Sequence, residues 1–463
     1  MKHELPRARY SSEQATKRPL GSLLGSISDA TFSRRSVFRS FAVTAGFFAL
    51  GGGLSACGGS GHAAEGPLQT WDLFSGSDGI SMRSMIANFS NESAVTVRPV
   101  TLAWGSPYYT KLAMAASSGK APDTAIMHLS RLAGFAPGGL LEPYDLELLA
   151  EFGVREDDFA PAVWKNCHYE GQLFAIPLDT HPFVVFYNKD IAEKAGVLDG
   201  SGAISSITSA EDMIEVGQKL AKVTGKQGVS FGHVLDSAQS WRLFWGLYAQ
   251  TGGGYTMEVG SPAVLDTAKA AEVLTFLTQM MDGKIALKNQ TYAGAIADFT
   301  SGTTGLILSG AWEMPALKDA IPNLGAMPMP TMFGTPANYS DSHSYVLPRQ
   351  VSDDPQRRRT AHQFVAGIIK QGQKWAEAGH IPAYLPVQET PDYQNLHPQV
   401  DYAAAGTTPV FDPPVWFSGA GTDFQNQLSQ TISACFQGTL DPPAAVASML
   451  EIINKMLSAP NPS

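Results

Sequence analysis

From residue 69 onward, short apolar runs alternate with amphipathic stretches, and this alternation restricts the chain to few fold classes. The strand-like runs and the intervening helical stretches are, in chain order, residues 69–74, 80–90, 95–102, 108–118 and 124–127. Strands and helices in alternation build parallel βαβ units, whose ligand-binding loops follow the carboxyl ends of the strands. We therefore predict an α/β fold, with longer helices in the second half of the chain.

The composition excludes several classes of protein. The chain has 463 residues, 44% of them hydrophobic and 16% charged, which suits two or three folded domains rather than a disordered chain. Its formal charge of −10 gives no general attraction to polyanions, so we predict no nucleic-acid partner. Three cysteines are too few for a disulfide framework or a structural zinc site.

The first 57 residues differ from the rest and read as an export signal. Arg34 and Arg35 precede a weakly apolar stretch at 41–54, which is shorter than the roughly 20 residues of a spanning helix. Leu-Ser-Ala-Cys follows, ending at Cys57. We interpret 1–57 as a twin-arginine-type lipoprotein signal peptide with a lipobox, Cys57 as the lipidated residue and 58–68 as a flexible tether. A membrane helix, or a chance Leu-Ser-Ala-Cys, would explain the same residues.

This interpretation predicts an exported protein, lipid-anchored to the outer face of the bacterial cytoplasmic membrane. In such an oxidising compartment Cys167 and Cys435 either pair or remain two buried thiols. Both possibilities stay open at this point, because the sequence does not place the two residues in space.

Catalytic motifs are weak. The chain has no His-Glu-x-x-His, Walker A loop or Gly-x-Gly-x-x-Gly, and its one Gly-x-Ser-x-Gly lies at 228–232. A nucleophile elbow needs a helix directly after its serine, whereas the next helical pattern begins only at Trp241. We therefore interpret Ser230 as part of a plain strand.

Metal-ligand spacing and catalytic acid pairs are also not evident. The histidines without ligand spacing to one another are His128, His181, His233, His343 and His380. The pairs Asp157-Asp158 and Asp353-Asp354 lie in polar segments and are interpreted as solvated. We predict no metal site and no cofactor, while two carboxylates distant in sequence still permit a glycosidase.

Six short motifs occur in order along residues 69–457. They are Gly-x-x-Pro-Asp at 119–123, Gly-Leu-Leu-Glu-Pro-Tyr-Asp at 139–145, Gly-Gln-Leu-Phe-Ala-Ile-Pro at 171–177, Phe-Tyr-Asn-Lys-Asp at 186–190, Gly-Ala-Trp at 310–312 and Gly-His-Ile-Pro-Ala at 379–383. Together they resemble the carbohydrate-binding extracellular solute-binding proteins (family 1) of bacterial ABC importers. The chain departs from the family pattern at two places. Ala175 stands where the family usually has glycine, and a variable stretch begins at His128.

The resemblance implies a two-lobed, periplasmic-binding-protein-like α/β fold (type II) with a ligand cleft between the lobes. Lobe 1 would comprise 69–177 plus 331–350, and lobe 2 would comprise 178–330 plus 351–463. The chain would cross between lobes near 177–179, 327–333 and 348–354. The resemblance further implies a monomer without enzymatic activity that delivers its ligand to ABC permease subunits in the membrane.

A sugar site combines aromatic rings, which stack on apolar ring faces, with polar partners for the hydroxyls. The candidates at strand ends, in crossover loops or in the resembling motifs are Ser75, Asp78, Trp104, His128, Asp179, His181, Trp241, Trp312, Glu313, His343, Tyr384 and Trp416. Several have a structural alternative: Asp78 caps a helix, Trp104 packs between the lobes, His128 is a satisfied structural histidine, Trp241 packs in a helical core and Glu313 carries a solvated charge. Trp312 is favoured because the family's Gly-x-Trp tryptophan commonly faces the cleft.

The leading prediction is a receptor for a mono- or oligosaccharide. Proteins of this fold also bind polyols and glycerophosphodiesters, and a phosphate would need cations, of which the candidate loops offer only Arg131. The competing hypotheses are a secreted glycan-active enzyme and a sensory or adhesive lipoprotein.

Overall fold

The computed structural model describes residues 66–461, all within one compact unit, Gly61–Ser463. The predicted signal peptide, Cys57 and most of the tether lie outside the described residues. Within residues 66–461, every helix is too short or too polar to cross a membrane.

Seventeen strands are present in the described part of the chain. In chain order they are β1 (Leu68–Asp72), β2 (Val97–Thr101), β3 (Thr124–His128), β4 (Leu141–Glu142), β5 (His168–Tyr169), β6 (Gln172–Leu173), β7 (Ala175–Pro177), β8 (Asp179–Asn188), β9 (Val229–Ser230), β10 (Tyr255–Thr256), β11 (Val264–Leu265), β12 (Leu306–Gly310), β13 (Leu324–Pro328), β14 (Asn338–Asp341), β15 (His343–Pro348), β16 (Ile381–Pro382) and β17 (Pro409–Val410).

Seventeen α-helices and five 3₁₀ helices accompany these strands in residues 66–461. The α-helices are α1 (Gly76–Ser93), α2 (Ser106–Ser117), α3 (Leu132–Phe135), α4 (Leu146–Glu151), α5 (Pro161–Trp164), α6 (Lys189–Lys194), α7 (Ala210–Thr224), α8 (Gln239–Gln250), α9 (Thr267–Met280), α10 (Tyr292–Thr300), α11 (Met314–Ala320), α12 (Pro355–Ile369), α13 (Gly372–Ala376), α14 (Leu385–Gln388), α15 (Pro391–Gln394), α16 (Asp423–Phe436) and α17 (Pro442–Leu457). The 3₁₀ helices are Leu129–Arg131, Glu156–Asp158, Lys165–Cys167, Ala311–Glu313 and Val400–Thr407.

Short polar side chains begin several of these helices. The Ser209 hydroxyl accepts the Asp212 backbone N–H at the start of α7, and Asp266 accepts the Lys269 N–H at the start of α9. Asp354 accepts the Arg357 N–H and so caps α12. One member of the acidic pair at 353–354 therefore has a local structural role.

The first lobe contains a six-stranded sheet. Its order is β2-β1-β3-β15-β4, with β7 also paired to β15. β1 runs parallel to β2 and β3, which confirms the predicted βαβ units at the start of the folded chain. β15 is antiparallel to β3, β4 and β7, so a late segment of the chain occupies the middle of this sheet.

The second lobe is organised around β8. Its sheet has the order β17-β14-β8-β12-β9, and β13 and β16 also pair with β8. Successive side chains of a strand point to opposite faces, and Phe183 and Val185 enter the larger core while Val184 and Phe186 enter a smaller one. β8 is buried on both faces, in keeping with its apolar run at 183–187.

Two strand-to-strand crossovers lie side by side between the lobes. Leu178 separates β7 in the first sheet from β8 in the second, and Ser342 separates β14 in the second sheet from β15 in the first. The Leu178 N–H donates to the His343 carbonyl at 2.8 Å, and the Leu129 N–H donates to the Ser342 carbonyl at 2.8 Å. The first crossover lies in the range predicted from the resemblance.

The other two crossings differ from that prediction. Residues 327–333 stay in the second lobe, where Gln250 Nε2 donates to the Pro330 carbonyl and Gln250 Oε1 accepts the Met332 N–H. After β15 the chain stays in the first lobe through α12 and α13, and returns to the second sheet only at β16. The family resemblance implied crossings at these two positions, whereas in this structure residues 327–333 are anchored in the second lobe by Gln250.

The lobe boundaries change accordingly. β14 belongs to the second sheet although 331–350 was assigned to lobe 1. Phe364, Val365 and Trp375 pack in the first core although 351–463 was assigned to lobe 2. The apolar face of α12 decides this placement, because it packs against α1 rather than against the second sheet.

Each of the two described cysteines is a buried free thiol. Cys167 lies in the first core and Cys435 in the larger core of the second lobe. Burial raises the pKa of both thiols. Ser230 lies in β9 with its hydroxyl 2.7 Å from that of Thr304, as the strand interpretation predicts.

Candidate functional site

A cavity of about 450 Å³ lies between the two sheets, which is within the usual range for small-molecule sites. Its polar and aromatic lining from the first lobe consists of Phe74, Ser75, Ser77, Asp78, Trp104, His128 and His343. The second lobe contributes His181, Asp236, Gln239, Arg242, Tyr292, Trp312 and Glu313. Both lobes therefore face one cleft with hydrogen-bonding groups and indole rings.

The first-lobe residues meet there because β1, β2 and β3 are parallel, so their carboxyl ends lie at one edge of the sheet. Ser75 precedes α1 and makes no capping hydrogen bond, and Gly76 turns the chain with a φ of 55°. Asp78 lies in the first turn of α1, and its Oδ1 is 3.1 Å from His380 Nε2. The alternative of Asp78 as a simple helix cap is therefore not what the structure shows.

Four of the histidines that appeared isolated in sequence lie together at the base of this cleft. The ring centroids of His128 and His343 are 4.7 Å apart, and those of His181 and His343 are 4.2 Å apart. His380 lies 5.3 Å from His343. This proximity overturns the expectation drawn from their spacing, because strand pairing brings together residues that are far apart along the chain.

Asp179 is the carboxylate at the centre of this group. It is fully buried and accepts hydrogen bonds from His181 Nδ1 at 3.0 Å, from His343 Nδ1 at 2.8 Å and from Trp375 Nε1 at 2.6 Å. Burial alone would raise the pKa of Asp179, but the imidazoles of His343, His181 and His380 hold it well below its usual range. Asp179 thus lies behind the cleft and orients two histidines that line it.

This arrangement assigns the ring protons. An ionised Asp179 requires Nδ1–H on both His181 and His343, and a neutral His181 then has its Nε2 atom available as a hydrogen-bond acceptor. Burial and the neighbouring His343 lower the pKa of His181 to about 3, and burial lowers that of His128 well below its usual value. His181 and His128 are therefore neutral near pH 7.

His380 has a different environment. Burial would lower its pKa, but the carboxylates of Asp78 and Asp179 raise it above the ordinary value. His380 Nδ1 lies 3.3 Å from Asp179 Oδ2, yet this contact is not aligned as a hydrogen bond. The ring of Trp375 stacks on His380 with centroids 4.6 Å apart.

Trp312 is held on the second-lobe side of the cleft. Its Nε1 donates to the Tyr292 hydroxyl at 2.9 Å, and that hydroxyl donates to Glu313 Oε1 at 2.5 Å. Burial raises the pKa of Glu313 above its ordinary value. The Arg242 guanidinium lies over the indole, 5.0 Å from the ring centroid.

A family model described as a bacterial extracellular solute-binding protein matches residues 84–399, more than half of the chain. The chain belongs to this family. The arabinooligosaccharide-binding protein of Bacillus subtilis (strain 168) is 26% identical over 302 residues, covering 62% of this chain and 65% of that protein. The maltotriose-binding protein of Pyrococcus abyssi is 24% identical over 225 residues, covering 47% of this chain and 44% of that protein. The chain thus covers less than two thirds of the length of either relative.

Solved structures share the fold of this solute-binding protein. The GacH receptor of Streptomyces glaucescens superposes with a TM-score of 0.71 at 19% identity, covering 84% of this chain and 98% of that one. The maltose-bound MalE3 of T. maritima gives a TM-score of 0.70 at 16% identity, covering 84% and 99%. The predicted two-lobed α/β fold is confirmed.

Eight of the twelve predicted site residues of this solute-binding protein line the cleft, and Asp179 lies directly behind it. The remaining three lie elsewhere. Trp241 is fully buried, stacks on Trp245 and donates its Nε1 to Asp412 Oδ1 at 2.6 Å. Tyr384 packs against Phe159 with centroids 5.8 Å apart. Core packing, the structural alternative for Trp241, therefore applies to it, and Tyr384 is likewise buried away from the cleft.

Trp416, the third, lines a different and larger cavity of about 930 Å³. That cavity lies between α2 and the C-terminal segment and shares no lining residue with the cleft. Arg131, the cation noted in the sequence, also lies there, over the ring of Tyr109 at 4.4 Å. Arg131 therefore does not supply charge to the cleft.

The sequence prediction missed Asp236, Gln239, Arg242 and Tyr292. Gln239 and Arg242 are three residues apart on α8 and share one face, while Trp241 and Trp245, four apart, share the other. The tryptophans identified this helix but not the face that borders the cleft. Helical periodicity was the available signal, because the polar Gln239 and Arg242 lie three residues apart on this helix.

Proposed function

We propose that this solute-binding protein captures an oligosaccharide in the cleft and delivers it to the permease of an ABC importer. Indole rings together with hydrogen-bonding side chains around one interlobe cavity carry this proposal. Sugars present apolar ring faces and hydroxyls at once, and the cleft offers both kinds of partner. The names of the arabinooligosaccharide- and maltotriose-binding relatives support an oligosaccharide as ligand.

Specific residues would divide the recognition between them. Trp104, 41% exposed at the cleft mouth, is placed to contact a sugar ring face. Trp312, deeper in the second lobe, would contact one after displacement of the Arg242 guanidinium that lies over its indole. Nε2 of His181 would accept a hydrogen bond from a sugar hydroxyl. Further hydroxyls would bind to His343, Ser75, Asp78 and Glu313. Asp179 would act indirectly by orienting the two histidines.

We further propose export under the twin-arginine signal and lipid attachment at Cys57, with the two lobes of a monomer presented at the outer membrane face. The order of arginine pair, apolar stretch and cysteine supports this. We also propose that the protein catalyses no reaction. The names of the arabinooligosaccharide- and maltotriose-binding relatives support this, because both describe binding proteins.

The test is thermal unfolding of residues 58–463 with arabino-oligosaccharides, maltotriose and maltose, followed by calorimetric titration of any sugar that stabilises. A ligand at 100 times its Kd adds about 2.7 kcal/mol to the free energy of unfolding, which moves the midpoint by several degrees. The sugar recovered afterwards should be intact. Consumption of the sugar would instead identify an enzyme, and no shift with any oligosaccharide would contradict the proposal.

Two tryptophan variants locate the site. Trp312→Ala should weaken sugar binding by roughly 10- to 150-fold, since burial of an aromatic face contributes about 1.5–3 kcal/mol. Trp416→Ala is the matched control, because it changes the same residue type in the other cavity. Loss of sugar binding in Trp416→Ala with Trp312→Ala unaffected would move the site to that cavity.

Arg242 favours a second candidate, a glycerophosphodiester or another anionic ligand. Burial would lower the pKa of Arg242, but Tyr339 and Asp236 raise it, so the guanidinium is charged in the cleft. A sugar ring stacking on Trp312 would have to displace this guanidinium, whereas a phosphate would pair with it. Arg242→Ala should therefore abolish phosphodiester binding and leave binding of a neutral sugar unchanged or tighter.

A further inference from the structure

Four buried side chains at the base of the cleft present metal-ligating atoms to one another. They are Asp179, His181, His343 and His380, and one ligand atom of each lies within 4.8 Å of those of the other three. Three imidazole nitrogens and one carboxylate are a ligand set typical of Zn²⁺ and related divalent transition metals. Three of the four residues lie in β8 and β15, and the fourth immediately precedes β16, so backbone pairing fixes their relative positions.

His380 provides the observation that a hydrogen-bond network alone leaves unexplained. Its Nδ1 is completely buried and has no hydrogen-bond partner among the described residues, although Asp179 Oδ2 is 3.3 Å away. Its other nitrogen, Nε2, is bonded to Asp78 at 3.1 Å. A buried nitrogen without a partner is costly in a folded protein, and a metal ion would satisfy it.

The outer contacts also resemble those of metal sites. Ligating histidines commonly donate their second N–H to a carboxylate, as His380 does to Asp78. Ligating carboxylates are themselves hydrogen-bonded, as Asp179 is by Trp375 Nε1 at 2.6 Å and by the His343 backbone N–H at 2.8 Å. Both kinds of partner hold ligands in place without occupying the position of an ion.

We propose that Asp179, His181, His343 and His380 bind one divalent transition-metal ion, Zn²⁺ in the first instance, through Nδ1 of each imidazole and one carboxylate oxygen. Zn²⁺ ligands lie about 2.0–2.2 Å from the ion. The imidazoles of His181 and His343, now 3.0 and 2.8 Å from Asp179, would therefore separate slightly from the carboxylate to admit the ion. On binding the ion, Nδ1 of each imidazole gives up any proton it carries to the solvent, and each ring keeps one proton on Nε2. In the metal-bound form, Nε2 of His181 and of His343 would therefore donate to a ligand hydroxyl rather than accept from it. No electron transfer or co-reactant is involved.

The test uses the full chain, purified without a histidine tag, stripped with a chelator and titrated with Zn²⁺ in a calorimeter without sugar. One Zn²⁺ per chain is expected. His380→Ala should lower the affinity by more than about 100-fold, and Trp375→Phe, which removes the donor to Asp179, by roughly 10- to 100-fold. Because no sugar is present, the result is separate from that of the proposed function.

The matched control is His397→Ala. His397 forms an exposed pair with Asp401, Nδ1 to Oδ1 2.6 Å, so it reports adventitious surface binding and should leave the tight site unchanged. If His380→Ala does not fold, two other measurements decide the question. One is the affinity of Trp375→Phe. The other is the visible absorption of the Co²⁺-loaded parent, which is intense only when the ion has a low coordination number. A parent that binds no Zn²⁺, or that loses its binding only in His397→Ala, overturns the proposal.

Discussion

Gly310 is the residue whose replacement most directly tests the role of Trp312. It ends β12, and a Cβ at this position would lie 2.0 Å from Cη2, 2.1 Å from Cζ3 and 2.2 Å from Cζ2 of the Trp312 indole. Such contacts are not seen below 3.0 Å, so in Gly310→Ala the indole must retreat by at least 1 Å. The Arg242 guanidinium over the ring and the hydrogen bond to Tyr292 limit where it can go.

The expected result is a selective loss of ligand binding. Overpacking costs about 1–3 kcal/mol of unfolding free energy. The displaced aromatic face should raise the Kd of the sugar identified by melting by roughly 10- to 150-fold, which corresponds to about 1.5–3 kcal/mol. Calorimetric titration measures the Kd, and urea unfolding measures the stability.

Gly200→Ala is the control for this experiment. Gly200 has open space where its Cβ would be and no positive φ, so its replacement should change neither the Kd nor the stability. If Gly310→Ala binds the sugar with the Kd of the parent, Trp312 is not part of the binding surface and the assignment of the cleft fails.

Two further predictions concern stability. Burial and the charge of Asp412 raise the pKa of Asp341 to about 6, whereas its unfolded value is about 3.9. The folded protein therefore binds more protons than the unfolded chain between pH 4 and 6. The free energy of unfolding should fall as pH rises through that window. Asp341→Asn should flatten this pH dependence, as measured by urea unfolding. An unchanged dependence of stability on pH in Asp341→Asn would contradict this prediction. Trp241→Phe removes the donor to Asp412 Oδ1 and should cost about 1–3 kcal/mol with the sugar Kd unchanged; a weakened Kd would return Trp241 to the binding site.

Local patterns in the sequence were sufficient for the first βαβ units and for much of the cleft. Trp104 and His128 follow parallel strands, and such ends necessarily meet at one sheet edge. Trp312 and His343 were identified by motif and strand position and also line the cleft. The positions of these residues follow from local strand and motif patterns, which can be read from a single sequence.

The rest depends on contacts between distant segments. Asp179 and His343 are 164 residues apart, and Trp375 is 196 residues from Asp179, so no spacing rule joins them. The antiparallel pairing of β15 with β3 and of β16 with β8 creates their neighbourhood. Likewise, the crossover at Ser342 has no glycine or proline to mark it, because paired strands rather than a turn carry the chain across.

The interleaved strands have a consequence for how the chain acquires its structure. The first sheet lacks its middle strand until β15 is made, and β8 lacks two of its partners until β14 and β16 are made. During translation, neither lobe can therefore be completed before the other, because both depend on the same late stretch of chain between 338 and 382. Such long-range closure slows folding and couples the two lobes into one cooperative event. A polypeptide that stops at residue 337 should consequently show no cooperative unfolding transition for either lobe.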